Sequence, residues 1–339
     1  AGVTAKYRTA AHRKGIKEHR YMKEKLSSKT LKHAAIAGAG ICVGASYVLT
    51  SFLRRFALSR TFPMYRTERK STDKPDPLGD FLRPGKEWIK KEASPVTLIN
   101  RDSMKLNGLF LPSIQAGSTR YVILCHGYRN NCCELGVYAR HFWHRGYSVL
   151  LPDARGHGDS EGKYIGMGWQ ERKDILEWVD FLRQKDPKSQ IVLMGISMGA
   201  ATVMMASGEN LPSNVKAIIE DCGYTSVWEE FSVQIHNYFH LPPFPFLYLS
   251  SLASRIRYGF SFKEASAIRQ VAKCNRPILF IHGSKDAFVP FYMLNKLYHA
   301  AKCEKEKLVI DGAGHALSCA TDPKLYFRTV DQFLDKYII

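Results

Sequence analysis

The sequence holds no Cys-x-x-Cys pair, although eight cysteines are spread along its 339 residues. Structural zinc sites need thiolates or imidazoles at short, fixed spacings, so no zinc module is expected and no metal site with it. Acidic residues are scarce against basic ones: 31 Asp and Glu face 49 Lys and Arg, a formal charge of +18. A basic balance of that size points to an anionic neighbour, either a nucleic acid or a lipid surface. No zinc-finger spacing, RNA-binding aromatic motif or other nucleic-acid module accompanies the charge, so no nucleic-acid partner is expected. Internal repeats and low-complexity tracts are also absent, which excludes solenoids and propellers. The sequence carries no signal for oligomeric state.

Much of the charge sits at the front. Residues 1–33 carry ten Lys and Arg against only Glu18 and Glu24, a basic arm suited to anionic lipid head groups. Directly after it comes AAIAGAGICVGASYVLTSFL, residues 34–53, with no charge until Arg54 and Arg55. Twenty residues at about 1.5 Å each reach about 30 Å, the hydrocarbon thickness of a bilayer, so this stretch is expected to be a transmembrane anchor. A cleaved signal peptide and a buried or interfacial helix are the alternatives. The run is longer than a signal peptide's apolar region, and no clear Ala-x-Ala site precedes the polar chain. The excess of basic residues before the span predicts a single-pass protein of the cell membrane, its N-terminus cytoplasmic and its large domain extracellular. Seven cysteines then fall outside the span, which in an oxidising compartment calls either for burial or for a setting where oxidants are scarce.

Residues 54–92 are charged, contain prolines and show no sustained period, so they are expected to be a linker; removing residues 1–60 should then leave the following domain whole. From residue 93 to 339, short apolar runs alternate with helix-length segments. SPVTLI and LNGLFLP flank a turn and predict a hairpin, YVILCHG reads as a strand buried on both faces, and 169–185 repeats apolar residues every three or four positions. Such alternation predicts a mostly parallel sheet with helices on both faces. Residues 223–270, rich in aromatics and proline, interrupt the rhythm and are expected to form an inserted cap.

In IVLMGISMGAATVMM, a strand ends near Gly195 and a helix begins after Ser197. A side chain on that sharp turn stands above the carboxyl edge of the sheet, and the flanking glycines leave room for the strand and helix to meet. Chance supplies roughly 0.1 such Gly-x-Ser-x-Gly matches in a chain of this length, so the flanking strand and helix carry as much weight as the motif. A serine nucleophile needs a base, and the base needs an orienting carboxylate. Asp286, just past FIHG, and His315, just past LVIDGAG, follow in that order, each beyond a strand. Separately, the first would be a loop acid or helix cap and the second a surface histidine; the ordered set makes them candidate catalytic residues. The oxyanion of an acyl-transfer intermediate needs two N–H donors, assigned to the backbone of Met198 and of Tyr128. His126, His282 and the Asp153–Arg155 pair are read as scaffold.

With these residues in hand, the chain from about 93 to 339 resembles the α/β-hydrolase superfamily, through HGY, DARGHGDSEG, GISMG, EDCGYTSVWEEF, FIHGSKDAFVP and GAGHA. It looks most like membrane-anchored bacterial hydrolases of the serine aminopeptidase-like and esterase-like kinds. The resemblance implies an α/β-hydrolase fold with an eight-stranded, mostly parallel sheet, one antiparallel edge strand, and no cofactor. It implies little about substrate, because this fold hosts many chemistries; a small carboxylic ester is the leading expectation and a short peptide the alternative. The cap aromatics Tyr238, Phe239, Phe244, Phe246 and Tyr248 suggest an apolar acyl or aromatic group, with a self-packed lid as the alternative. A peptidase would need an acidic subsite for the substrate ammonium, for which Glu229 and Glu230 are candidates. A non-catalytic surface or lipid-binding module is the least expected reading.

Overall fold

The computed structural model describes residues 48–61 and 77–339. The expected basic arm and residues 34–47 of the expected anchor lie outside the described residues. Among the described residues, no helix is long and apolar enough to cross a membrane. The chain divides into two compact units, Ala1–Phe52 and Leu53–Ile339. In the first, the described residues 48–52 are helical. The second holds the sheet and every feature described below.

Its eight strands are β1 (Ser94–Ile99), β2 (Lys105–Leu111), β3 (Arg120–Cys125), β4 (Ser148–Pro152), β5 (Gln190–Ile196), β6 (Val215–Asp221), β7 (Ile278–Gly283) and β8 (Lys305–Ile310). They lie in the order β1-β2-β4-β3-β5-β6-β7-β8. The expected hairpin pairs β1 with β2, β2 also runs antiparallel to β4, and from β4 to β8 all neighbours are parallel; the reversed strand is therefore β2, second from the edge, and not the edge strand expected, because the hairpin adds β1 outside it. Strands β3 to β7 are almost wholly buried because both faces are covered, as their unbroken apolar runs require. Alternate residues feed two cores. Ile123, Leu193, Ile218 and Phe280 enter one; Val122, Val192, Ile219 and Leu279 enter the other.

Helix α4 (Glu171–Lys185) turns Ile175, Trp178, Val179 and Leu182 into the first core, the stripe its periodicity predicts. Helix α3 (Gly136–His144), preceded by a short turn at Cys132–Leu135, and the C-terminal helix Pro323–Leu334 cover the other face. Between β6 and β7 the chain builds the cap: α6 (Val227–Phe239), α7 (Phe246–Tyr258) and the short α8 (Ala267–Val271).

Two parts of the expected linker are structured. Helix α2 (Pro77–Glu92) presents Leu82, Gly85 and Ile89 inward despite Pro84 in its middle. Its Gly85 packs so closely on Gly136 that a Cβ on either would fall inside backbone contact distance of the other segment. Residues 53–58 of the second unit are helical and are labelled α1. Leu58 is fully buried, and Ser59 makes a β-bridge to Tyr164. Charges interspersed with apolar positions hid both helices, since their stripes are completed by partners far along the chain. The seven described cysteines are free, and five of them are buried.

Candidate active site

The parallel strand order changes direction around β3: the chain passes from β3 to β4 on one side, then to β5 on the other. Such a switch point opens a crevice at the carboxyl ends of the strands. Ser197 stands there, between β5 and α5 (Met198–Ser207), with φ +57° and ψ −114°. That region of backbone space costs an L-residue energy and persists only where the surroundings enforce it. Here the surroundings are two glycines. A Cβ on Gly195 would lie 2.1 Å from the Gly199 oxygen, and one on Gly199 would lie 2.0 Å from the Cys125 oxygen. The Ser197 N–H is further tied to the Asp221 carbonyl at the end of β6, 2.8 Å away.

The loops after β7 and β8 bring Asp286 and His315 to the same place. Ser284 joins them, its hydroxyl donating to Asp311 and accepting from the Gly312 N–H, both at 2.8 Å. The Lys285 N–H donates to the Ala313 carbonyl. His315 Nε2 lies 2.9 Å from Ser197 Oγ, and His315 Nδ1 lies 2.8 Å from Asp286 Oδ2. A carboxylate can only accept, so Nδ1 carries the ring proton and Nε2 faces the serine with its lone pair.

Asp286 has no exposed side-chain surface. Burial pushes its carboxyl up, but hydrogen bonds from His282 and His315 outweigh burial and hold it down, at about 2. Its other oxygen accepts the N–H groups of Phe288 and Val289, each at 2.9 Å. His282 is therefore more than scaffold: its Nε2 lies 3.3 Å from Asp286 Oδ2 and 2.9 Å from the Val289 carbonyl. It flanks the same carboxylate oxygen that His315 meets. The HxxxD spacing was the available signal, since a strand-end histidine four residues before a loop acid can reach back to it.

His126 and the Asp153–Arg155 pair keep the structural roles expected of them. His126 Nε2 accepts the Ala154 N–H at 3.0 Å, Asp153 accepts from Cys132 and Asp159, and Arg155 pairs with Asp174 at 2.6 Å. Cys222 was not foreseen: its sulfur, the Asp286 carboxylate and a His315 nitrogen lie within 4.8 Å of one another. As a metal site this trio is poor, because burial drives the thiol well above its usual range and His315 Nδ1 is already committed to Asp286.

Two cavities meet at Ser197. One, of about 300 Å³, is lined by Met198, Tyr128, Met167, Tyr224, Phe231, Ile235, Leu247, Phe262 and Phe288, and by Leu53, Phe56 and Ala57 of α1. The other, of about 190 Å³, lies beside His315 and includes Gly127, Tyr128, Asn130 and Glu134. The expected cap aromatics divide. Tyr238 and Phe239 line the larger cavity, whereas Phe244 and Tyr248 are 70% and 48% exposed and Phe246 is outside the lining. Residues 53–57 line it as well, and the Tyr128 hydroxyl donates to the Ala57 carbonyl at 2.6 Å. A deletion through residue 60 would open the site, so the expectation that it is harmless is corrected: the boundary must fall before Leu53.

The two cap acids also separate. Glu229 is engaged by Lys296 and by the Thr225 hydroxyl, both at 2.5 Å, and its N–H is capped by Ser226. Glu230 is 2% exposed and borders the larger cavity. One of its oxygens accepts from Gln234 at 2.7 Å, and the other finds no partner among the described residues. Burial pushes its carboxyl up to about 8.

Residues 117–234 match the family model described as serine aminopeptidase, S33. The chain is 29% identical over 215 residues to YqkD of Bacillus subtilis, an uncharacterized protein, covering 63% of this chain and 70% of that one. It is also 29% identical over 163 residues to the lysophosphatidylserine lipase ABHD12 of Rattus norvegicus, covering 46% of this chain and 38% of that one. The esterase Pf2001 of Pyrococcus furiosus superposes with a TM-score of 0.58 at 23% identity, over 75% of this chain and 96% of that one. Together with the sheet order and the serine turn, the structural match gives the chain the α/β-hydrolase fold.

Proposed function

We propose that the protein is a membrane-anchored serine hydrolase that cleaves carboxylic esters or thioesters of apolar acyl groups. The observation that carries this reading is the connected line Ser197–His315–Asp286 opening on the apolar cavity. Ser197 Oγ attacks the acyl carbon while His315 Nε2 takes its proton. The oxyanion formed is held by the Met198 and Tyr128 N–H groups; Met198 is the first residue of α5, so its amide has no partner within the helix. His315 then gives the proton to the leaving group, which departs through the smaller cavity, and water repeats the steps to release the acid. Asp286 holds the imidazole in the tautomer that each step needs. No cofactor enters.

A labelled fluorophosphonate followed by p-nitrophenyl esters of rising acyl length and aminoacyl p-nitroanilides tests the reading. Esters should be turned over with kcat/KM at least about a hundredfold above the anilides, a gap of about 2.7 kcal/mol in barrier. Higher activity on the anilides would instead select the aminopeptidase reading, which one observation favours: the Glu230 oxygen beside the cavity that has no partner among the described residues is suited to a substrate ammonium. In that case Glu230→Gln should abolish anilide turnover.

The tether rests on the sequence, on the uncharged run 34–53 behind a basic arm. Full-length protein should stay with membranes through high-salt and carbonate washes, because hydrophobic insertion is insensitive to screening. Release by salt alone would mean a purely electrostatic attachment. External protease should reach the catalytic domain in wall-stripped cells; complete protection would reverse the topology.

A further inference from the structure

Helix α7 is inside out. Its inward positions hold Leu247 and three buried serines, Ser250, Ser251 and Ser254. Ser251 accepts the Phe262 N–H at 3.0 Å, while the Ser250 and Ser254 hydroxyls find no partner among the described residues. Its outward positions hold Leu249, Leu252 and Ile256, spaced three and four residues apart and therefore on one face. Leu252 is 56% exposed and Ile256 80%. A cap helix bathed in water has the opposite arrangement. The exposure is also concentrated: six of the thirteen exposed large hydrophobics among the described residues fall within residues 238–256. Clustering of that kind marks an interaction surface.

We propose that this face docks on a lipid bilayer, with Leu249, Leu252 and Ile256 entering the acyl region beneath anionic head groups. Charge favours a bilayer over a protein partner. Residues 238–263 contain no Asp or Glu, and the exposed Arg255 and Arg257 lie on the same helix as the three aliphatic residues. Lys263 Nζ sits 4.5 Å from the Trp228 ring and 4.8 Å from the Tyr248 ring. Aliphatic residues below a basic and aromatic rim are the pattern of an interfacial helix. Chain connectivity agrees: Arg54, directly after the uncharged 34–53 run, donates to the Tyr258 hydroxyl at the end of α7, 2.7 Å away. The inner side of α7 supplies Leu247 and Ser250 to the large cavity, so docking brings that cavity one helix away from lipid chains. That last consequence rests on the acyl-ester reading; the docking does not.

The test uses full-length protein, as wild type and as Leu249→Ser/Leu252→Ser/Ile256→Ser, with vesicles of phosphatidylcholine and phosphatidylglycerol. Vesicles should slow amide exchange across residues 246–258 in the wild type and not in the triple variant. Hydrolysis of a long-chain ester embedded in the vesicles should fall about tenfold or more in the variant, while p-nitrophenyl butyrate in solution is cleaved within about twofold of wild type. Unchanged exchange in the wild type, or equal rates on the embedded ester, would overturn the proposal. So would a wild-type dimer that the triple variant dissociates, which would assign the face to a second copy. Cross-links from residues 34–47 to α7 that persist on vesicles would likewise overturn it by covering the face with the chain itself. A wild type that cleaves neither ester sinks the hydrolase reading instead, and leaves the exchange measurement to decide docking.

Discussion

Ser197→Ala should lower kcat on p-nitrophenyl butyrate by roughly 10⁴- to 10⁶-fold, the scale of a lost nucleophile when its base and oxyanion site remain. It should also abolish fluorophosphonate labelling. The fold should survive. The substitution removes one oxygen, whose recorded partner is His315 Nε2, while the N–H bond to Asp221 and both elbow glycines are untouched. Serine and alanine also meet the same strain at φ +57°. The net worth of the lost hydrogen bond is about 1 kcal/mol, so the melting temperature should shift by only a few degrees. Activity and melting measured on one preparation separate a lost nucleophile from a lost fold. Retention of more than about a hundredth of the wild-type kcat would move the nucleophile elsewhere.

Ser197 was legible because its requirements are local. The buried strand, the glycines at 195 and 199 and the small-residue helix are contiguous in sequence, and the backbone contacts at those glycines explain each of them. Asp286 and His315 were legible by a weaker rule, a loop just past each of two strands, which works because parallel strands end at one edge of the sheet. Other features depend on contacts that no local window contains. Whether Glu230 faces solvent or the cavity is decided by how α6 rolls over the sheet, and Glu229 beside it is half-buried and paired with Lys296. Residues 53–57 look like linker until the cap supplies the other wall of the cavity. The aromatic run of the cap names a composition but not a direction, so Phe239 turns to the cavity and Phe244 to the outside.

Asp286→Asn should cost about 10⁴ in kcat, with binding of the substrate nearly unchanged. The carboxylate now accepts three hydrogen bonds, Phe288 and Val289 N–H on Oδ1 and His315 on Oδ2, and His282 Nε2 lies 3.3 Å from Oδ2. An asparagine keeps an oxygen for the two backbone groups and therefore turns its NH₂ towards the two histidines. That group can only donate. It forces His315 to accept at Nδ1, which moves the ring proton to Nε2 and points it at Ser197 Oγ. The serine then faces a donor, not a base. His282 meets the same NH₂ with the nitrogen already committed to the Val289 carbonyl, so the amide cannot be welcomed from that side either. The oxyanion donors and both cavities are unaffected, so KM should change by less than about threefold while kcat collapses. Phosphonate labelling, which also needs an activated serine, should slow in parallel. A variant that keeps its fold and more than about a tenth of the wild-type kcat would show that Asp286 does not orient the base.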